Sequence, residues 1–353
     1  MRSLVRNLVV AGLAVGLLAL FLRQAHLAVV WEEIRHAEVW LIVAAIVSMF
    51  VNLALRSIRW QYLLKPVGTA TFGNTLRATS IGAAATSLLP ARAGEFLRAY
   101  VLARRERFSA AAAFATIVLE RVLDLLCVVL LLAIFVVFFD PGMAQRDRGL
   151  YRAVRFGGLF GLVTAAGLLA VMFALAGRPE TVSRMVMKLE LVLPHRVAHL
   201  VARLAGLFAE GLAVARDPGT LLVSLAWSFL LWLSIGFGIW ATSRAFHIDI
   251  SFPGSFLVMA VLVVGVAVPT PGGIGGFHEA FRIGATAFYG VPNDRAVGAA
   301  IVLHAVSFIP VTLVGLVCFA HEGFNLKSLG SLATTAAAED RPGEVPVLRP
   351  SGR

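Results

Sequence analysis

Pro269-Thr270-Pro271-Gly272-Gly273-Ile274-Gly275-Gly276 splits an apolar region into Ser255–Val268 before it and Phe277–Tyr289 after it. Proline removes a backbone N–H and clusters of proline and glycine break helices. A membrane interior tolerates the freed groups only where protein or a water-filled cavity satisfies them. A similar break occurs earlier: Thr71 to Leu89 is followed by Pro90-Ala91-Arg92-Ala93-Gly94, and a short helix-like piece runs from Gly94 to Leu102. Both regions read as helical hairpins that enter the membrane and return. The alternative is four full crossings with ordinary interfacial turns, and an eight-span reading of the chain is also open. Pro90, Gly94, Pro271, Gly275 and Gly276 are the expected hinge positions.

Charges follow each break. Glu95-Phe96-Leu97-Arg98 recurs 184 residues later as Glu279-Ala280-Phe281-Arg282. In the same register, Ala115, Ile117, Val118, Leu119 and Val122 recur as Ala299, Ile301, Val302, Leu303 and Val306. The breaks themselves match better at a shift of 181, through Pro90, Gly94 and Phe96 against Pro271, Gly275 and Phe277. That discrepancy is nearly one helical turn, so Glu95 and Glu279 need not be spatial equivalents. The pattern predicts two related halves, about 37–138 and 221–322, around a central site.

Composition supplies the solvent. Of 353 residues, 59% are hydrophobic and 14% charged, and the mean hydropathy is +0.85. A soluble chain of this length needs more polar surface, so the expected class is an all-α polytopic integral membrane protein. The net charge of +11 gathers between apolar runs, as in cytoplasmic loops, and no aromatic-basic interleaving points to nucleic acid. Cys127 and Cys318 lie inside apolar spans and read as packing residues, with no metal cluster or cofactor implied.

About six full crossings are expected. One is an N-terminal anchor, Leu8 to Leu22; the others are Val39 to Leu55, Ala111 to Phe139, Phe156 to Ala176, Leu221 to Thr242 and Ala296 to Ala320. Arginine placement puts both termini on the cytoplasmic side, although Arg146, Arg148, Arg152 and Arg155 fall on the wrong side. Leu221–Thr242 is the third full crossing after Val39–Leu55. An odd count inverts the second half relative to the first. Residues 179–216 suit an amphipathic connector on the inner surface, and 326–353 a disordered cytoplasmic tail after one transmembrane domain, 1–325.

Chemistry candidates follow from cost, since charges inside a bilayer are expensive unless paired or facing water. Glu95 with Arg98, and Glu279 with Arg282, share a helix face at i,i+3. Glu120 and Asp124 share a face at i,i+4, with Arg121 placed to neutralise Asp124. His304 occupies the repeat position of Glu120 and is expected to face it across the symmetry axis, or to be a hydrogen-bonded structural histidine. Arg92 suits a phosphate. Gly272 and Gly273 begin a run that lacks the Lys-Ser/Thr of a nucleotide loop, so a backbone nest or hinge fits better. His278 stands beside them as a further path candidate. Arg56 and Arg59 read most simply as anchors reaching toward the cytoplasmic interface. No HExxH or GxSxG pattern is present, and nothing in the spacing demands enzyme chemistry.

At these residues the chain resembles the flippase-like transmembrane region of lysylphosphatidylglycerol synthases and its stand-alone relatives. The resemblance rests on Leu89-Pro90-Ala91-Arg92-Ala93-Gly94-Glu95, on Leu119-Glu120-Arg121-Val122-Leu123-Asp124, and on Pro269 through Glu279, and spans about residues 5 to 325. It implies a protein of the bacterial inner membrane that moves or handles a lipid, either an anionic or aminoacylated phospholipid or a polyprenyl-phosphate-linked glycan. Lipid-synthesis or glycosyltransfer enzymes would be its partners. By similarity Arg92, Glu95, Glu120, Arg121, Asp124, Gly272, Gly273 and Glu279 would line the path. Complete synthases also carry a soluble domain that transfers an aminoacyl group from tRNA. About thirty residues follow the last apolar run, too few for such a domain. The expectation is a translocase, with a membrane-embedded transferase or accessory subunit and a small-solute transporter as alternatives.

Overall fold

The computed structural model describes residues 12, 15–23, 25–89, 93–139, 148–176, 178, 180, 182–184, 195–268 and 270–322, and among these there is no β-strand. Among the described residues, five helices are long and apolar enough to cross a membrane. They are α3 (Val39–Leu64), α6 (Ala110–Ile134, extended by a π-helical turn, Phe135–Phe139), α7 (Arg148–Leu175), α9 (Pro218–Ala245) and α12 (Asn293–His321). Local chemistry sets their starts. The Ser109 hydroxyl accepts the Ala112 N–H (3.3 Å) ahead of α6, and the Asp217 carboxylate accepts the Gly219 N–H (3.1 Å) ahead of α9, which opens on Pro218.

The sixth expected crossing takes a different form. Val15–Leu22 (α1) and Leu27–Arg35 (α2) are bent by 84° at the intervening break, so any N-terminal span is a broken pair. Residues 1–11, where that anchor was expected to begin, lie outside the described part.

Exposed apolar side chains recur at helical spacing: Val39, Val43, Val47 and Phe50 on α3, Phe156, Phe160 and Val163 on α7, and Ile309, Leu313 and Val317 on α12. Stripes of that kind suit contact with lipid tails, for which nothing need cover them.

Between the long helices stand two pairs of short ones, α4 (Phe72–Leu88) with α5 (Ala93–Glu106), and α10 (Gly254–Val266) with α11 (Gly276–Tyr289). Seventeen residues span about 25 Å and 13 or 14 about 20 Å, less than the ~30 Å hydrocarbon core. Within each pair the second helix folds back on the first through a glycine–glycine contact. A Cβ on Gly94 would lie 2.0 Å from the Gly82 carbonyl oxygen, and one on Gly276 would lie 2.4 Å from that of Gly265. Gly94 and Gly276, marked as hinges by the sequence, are thus points where the helices approach closely. The second break makes a short 3-10 turn, Pro271–Gly273, with Gly272 at φ 59° and Gly275 at φ 85°, conformations glycine adopts without strain. Pro90, Ala91, Arg92 and Pro269 fall outside the described residues.

The chain therefore runs long–short–short–long twice, as α3–α6 and α9–α12. Packing is reciprocal: α4 lies against α12 and α10 against α6, while α3 meets α12 and α9 meets α6. At the centre α3 and α9 are antiparallel. The Glu38 N–H donates to Ala245 O (2.9 Å), Ser48 Oγ to Ser234 O (2.6 Å), and Asn52 Nδ2 to Leu231 O (3.1 Å). Between the two sets come α7 and α8 (His195–Gly211), the latter continuing as a 3-10 turn, Leu212–Arg216. The expected connector thus contains a helix, which packs on the start of α6: a Cβ on Gly211 would sit 2.2 Å from Ala112 O. Residues 185–194 of the connector and the expected tail lie outside the described residues.

Candidate functional site: a buried charge cluster beside an amphipathic cavity

Three helices each bring one polar face to the same place. On α3, Ser48, Asn52, Arg56 and Arg59 follow one another at spacings of three or four, opposite the lipid-facing stripe. On α6, Glu120, Arg121 and Asp124 form the single charged turn of a 25-residue helix. From α5 come Glu95 and Arg98.

Glu120 and Arg59 are fully buried, and Glu120 is the hub. Arg98 grips it with both terminal nitrogens (3.0 and 3.1 Å), Arg59 Nη2 lies 2.8 Å away, and Arg121 Nη2 pairs with the same oxygen, Oε1. Arg59 Nη1 also donates to Asp124 Oδ1 (2.5 Å) and to Ser228 Oγ (2.8 Å). Asp124 further accepts the Trp232 indole N–H (2.9 Å) and pairs with Arg121 (3.3 Å). The Arg98 guanidinium stacks 3.8 Å over Trp60, whose own N–H donates to Thr116 (2.9 Å). Planar forks suit this sharing: bidentate and stacked contacts satisfy several donors without water.

Two expectations change here. Arg98 does not take the carboxylate one helical turn behind it; Glu95 instead lies 3.8 Å from Arg121. A fully buried Glu120 must be paired, and the guanidinium on α5 reaches it at the α5–α6 contact. Glu95, partly exposed, needs no such partner. Arg56 and Arg59 are not interfacial anchors. Arg59 is interior, and Arg56 donates to Asn52 Oδ1 (3.1 Å) and lies 3.9 Å from Glu120. Their spacing with Ser48 and Asn52 was the available signal, since a polar stripe opposite an apolar one marks an inward face.

A cavity of about 550 Å³ opens beside the cluster. Its described lining comes from all eight helices of the two sets and from none of α1, α2, α7 or α8. The two sides differ. Every charged residue of the described lining belongs to the first set: Arg56, Glu95, Arg98, Arg121 and Asp124. The second set supplies chiefly apolar groups, among them Met259, Leu262, Val263, Val266, Val306 and Phe308, relieved by Ser234 and Ser307.

The second Glu-x-x-Arg stands apart from this lining. Arg282 binds Glu279 through Nε (2.8 Å) and Nη2 (2.5 Å) and donates to Asn293 Oδ1 (3.2 Å). This pair forms at the i,i+3 spacing, as expected, and closes on itself. Gly94 and Gly276 make the equivalent close contacts, and the residue after each, Glu95 and Phe277, lines the cavity. The duplicated Glu279 is thus two positions further along its helix. His304 does not meet Glu120 either. It hydrogen-bonds Gly272 O (2.8 Å) and stacks 4.4 Å from both His278 and Phe308, while Glu120 is taken up by arginines. His278 is buried, near the Gly275 N–H (3.4 Å) and Phe21 of α1, so both histidines brace the glycine break that holds Gly272 and Gly273.

An all-helical chain with five apolar spans and a polar-and-apolar internal cavity is a polytopic membrane protein. It belongs to the family described as the lysylphosphatidylglycerol synthase TM region, whose model matches residues 7–315. The chain is 25% identical over 316 residues to a UPF0104 membrane protein of Methanothermobacter thermautotrophicus, covering 83% of this chain and 88% of that one. It is 34% identical over 126 residues to the glycosyltransferase AglD of Haloferax volcanii, a match covering 35% of this chain and 20% of that protein. A UPF0104 membrane protein of Methanocaldococcus jannaschii shares 35% identity over 88 residues, 24% and 26% of the two chains. The match thus spans only a fifth of the glycosyltransferase and a quarter of the last relative.

Proposed function

We propose that this protein is a lipid translocase of the cytoplasmic membrane, moving a phosphate-bearing lipid between leaflets. The observation that carries the reading is the cavity's division into a charged side and an apolar side, each from one half of the molecule. A lipid presents that same division, a polar head on an apolar tail. A small hydrophilic solute would leave the apolar side without an apolar group to cover it. The antiparallel α3–α9 contact and the reciprocal packing support an inverted repeat, with both short-helix pairs re-entering from opposite sides. Rocking of one set against the other at the α3–α9 seam would open the cavity alternately to each leaflet. The partial likeness to a glycosyltransferase supports a second reading, in which the cavity presents a lipid-linked substrate to a partner enzyme. Product formation in detergent, with no requirement for two leaflets, favours that second reading.

Reconstitution into liposomes with a fluorescent phospholipid tests the first. Wild-type protein should expose inner-leaflet label to a membrane-impermeant quencher. Glu95→Ala, which unbalances Arg121 at the cavity wall, should slow exchange by about tenfold, a barrier change of ~1.4 kcal/mol. Glu279→Ala, away from the cavity, should stay within about twofold of wild type. Equal rates for all three proteins and for empty liposomes would remove the proposal.

A further inference from the structure

Among the described residues, seven ionisable side chains meet at the polar side of the cavity, and they do not balance. Four guanidiniums, Arg56, Arg59, Arg98 and Arg121, stand against three carboxylates, Glu95, Glu120 and Asp124. The excess is one positive charge, and the geometry locates it. Arg59, Arg98 and Arg121 each have a carboxylate oxygen within 3.0 Å. Arg56 has none nearer than 3.9 Å, its Nε is held by the neutral Asn52, and its side chain keeps 24% of its exposure toward the cavity. The Glu279–Arg282 pair is internally neutral and does not line the cavity, nor do His278 and His304. Thr79 also lines the cavity, is 4% exposed, and its hydroxyl has no hydrogen-bond partner. An uncompensated charge and an unmet hydroxyl in a low-dielectric cavity are both costly, and a ligand that supplies an anion and a hydroxyl relieves both.

We infer that the head group taken by this cavity is a monoanionic phosphodiester with a hydroxylated substituent, its phosphate on Arg56. The inference rests on the reading of the cavity as a lipid site and deepens it. One negative charge neutralises the seven described groups. A zwitterionic head leaves the excess in place, and a net-cationic aminoacylated head doubles it. The tail then follows Met259, Val263 and Val306.

Native mass spectrometry of the purified protein in non-ionic detergent tests this. The probes are phosphatidylglycerol, phosphatidylethanolamine, lysylphosphatidylglycerol and phosphatidic acid at equal concentration, with glycerol 3-phosphate and inorganic phosphate as soluble controls. Phosphatidylglycerol should be retained about tenfold over the zwitterionic and cationic lipids, and the soluble phosphates should not compete. Arg56→Gln should abolish the preference and Arg56→Lys should keep it. Glu95→Gln, which adds a second excess positive charge, should shift it toward phosphatidic acid, and Arg35→Gln on the exposed face of α2 should change nothing. Equal retention of phosphatidylglycerol and lysylphosphatidylglycerol, a preference that survives Arg56→Gln, or competition by inorganic phosphate would each overturn the inference. Charge preference without leaflet exchange would count against transport and leave the inference standing. Exchange without charge preference would do the reverse.

Discussion

Glu120→Gln should leave little folded protein after detergent extraction. Glu120 is fully buried and receives Arg59, Arg98 and Arg121 together, so neutralising it strands several guanidiniums away from water. Removing one partner of a buried ion pair costs about 3–5 kcal/mol, against a total stability of about 5–15 kcal/mol for typical domains. Gel filtration of a fluorescent fusion would show the loss as aggregate in place of the monodisperse peak. Removing a positive charge at the same time should recover part of it, so Glu120→Gln with Arg98→Met is expected to be more stable than Glu120→Gln alone. Additive losses in the double variant would mean that Arg98 and Glu120 do not support each other, contrary to the bidentate contact. The milder comparator is Glu279→Gln, because Glu279 serves a single, partly exposed arginine.

Gly94→Val should be comparably damaging for a different reason. Even the first carbon of a side chain would lie 2.0 Å from Gly82 O and 2.3 Å from Thr86 Oγ1. These are fixed by α4, so α5 would have to move away as a unit. Arg98 sits one turn along α5, and its hold on Glu120 and its stacking on Trp60 would be lost together. A melting curve of purified protein should shift down by many degrees, and Gly276→Val should do the same through Gly265. Gly238→Val, whose Cβ would meet nothing within 4 Å, is the control expected to melt as wild type. A small shift at Gly94 would show that the short helices are not held at their glycine contact.

These expectations were unequally legible in the sequence. Apolar length and composition located all five long spans, because lipid imposes both on every crossing helix. Proline and glycine located both breaks, because backbone chemistry is local. Span ends were less legible: Val39–Leu55 continues to Leu64, since Arg56 and Arg59 read as a terminus when each is considered alone. Inside the fold they have partners on α6 and α9, 65 and 169 residues away for Arg59. The i,i+3 rule found Glu279–Arg282, a contact within one helix, and misassigned Glu95–Arg98, where contact between α5 and α6 decides. Likewise the duplicated letters suggested two charged copies facing the site. A two-residue offset at the glycine contact puts Phe277 where Glu95 stands, and so produces one charged side and one apolar side.

That division makes α12 the place to test whether lipid passes through the cavity. Val306 lines the cavity, and Ile309, three residues further along the same helix, is 56% exposed on the outer surface. Leaflet exchange in proteoliposomes should be measured for Val306→Trp and Ile309→Trp, both checked first for an unchanged elution peak. The inward tryptophan should stop exchange and the outward one should leave it at the wild-type rate. Exchange undiminished by Val306→Trp, or equally diminished by both, would contradict a path between the two halves.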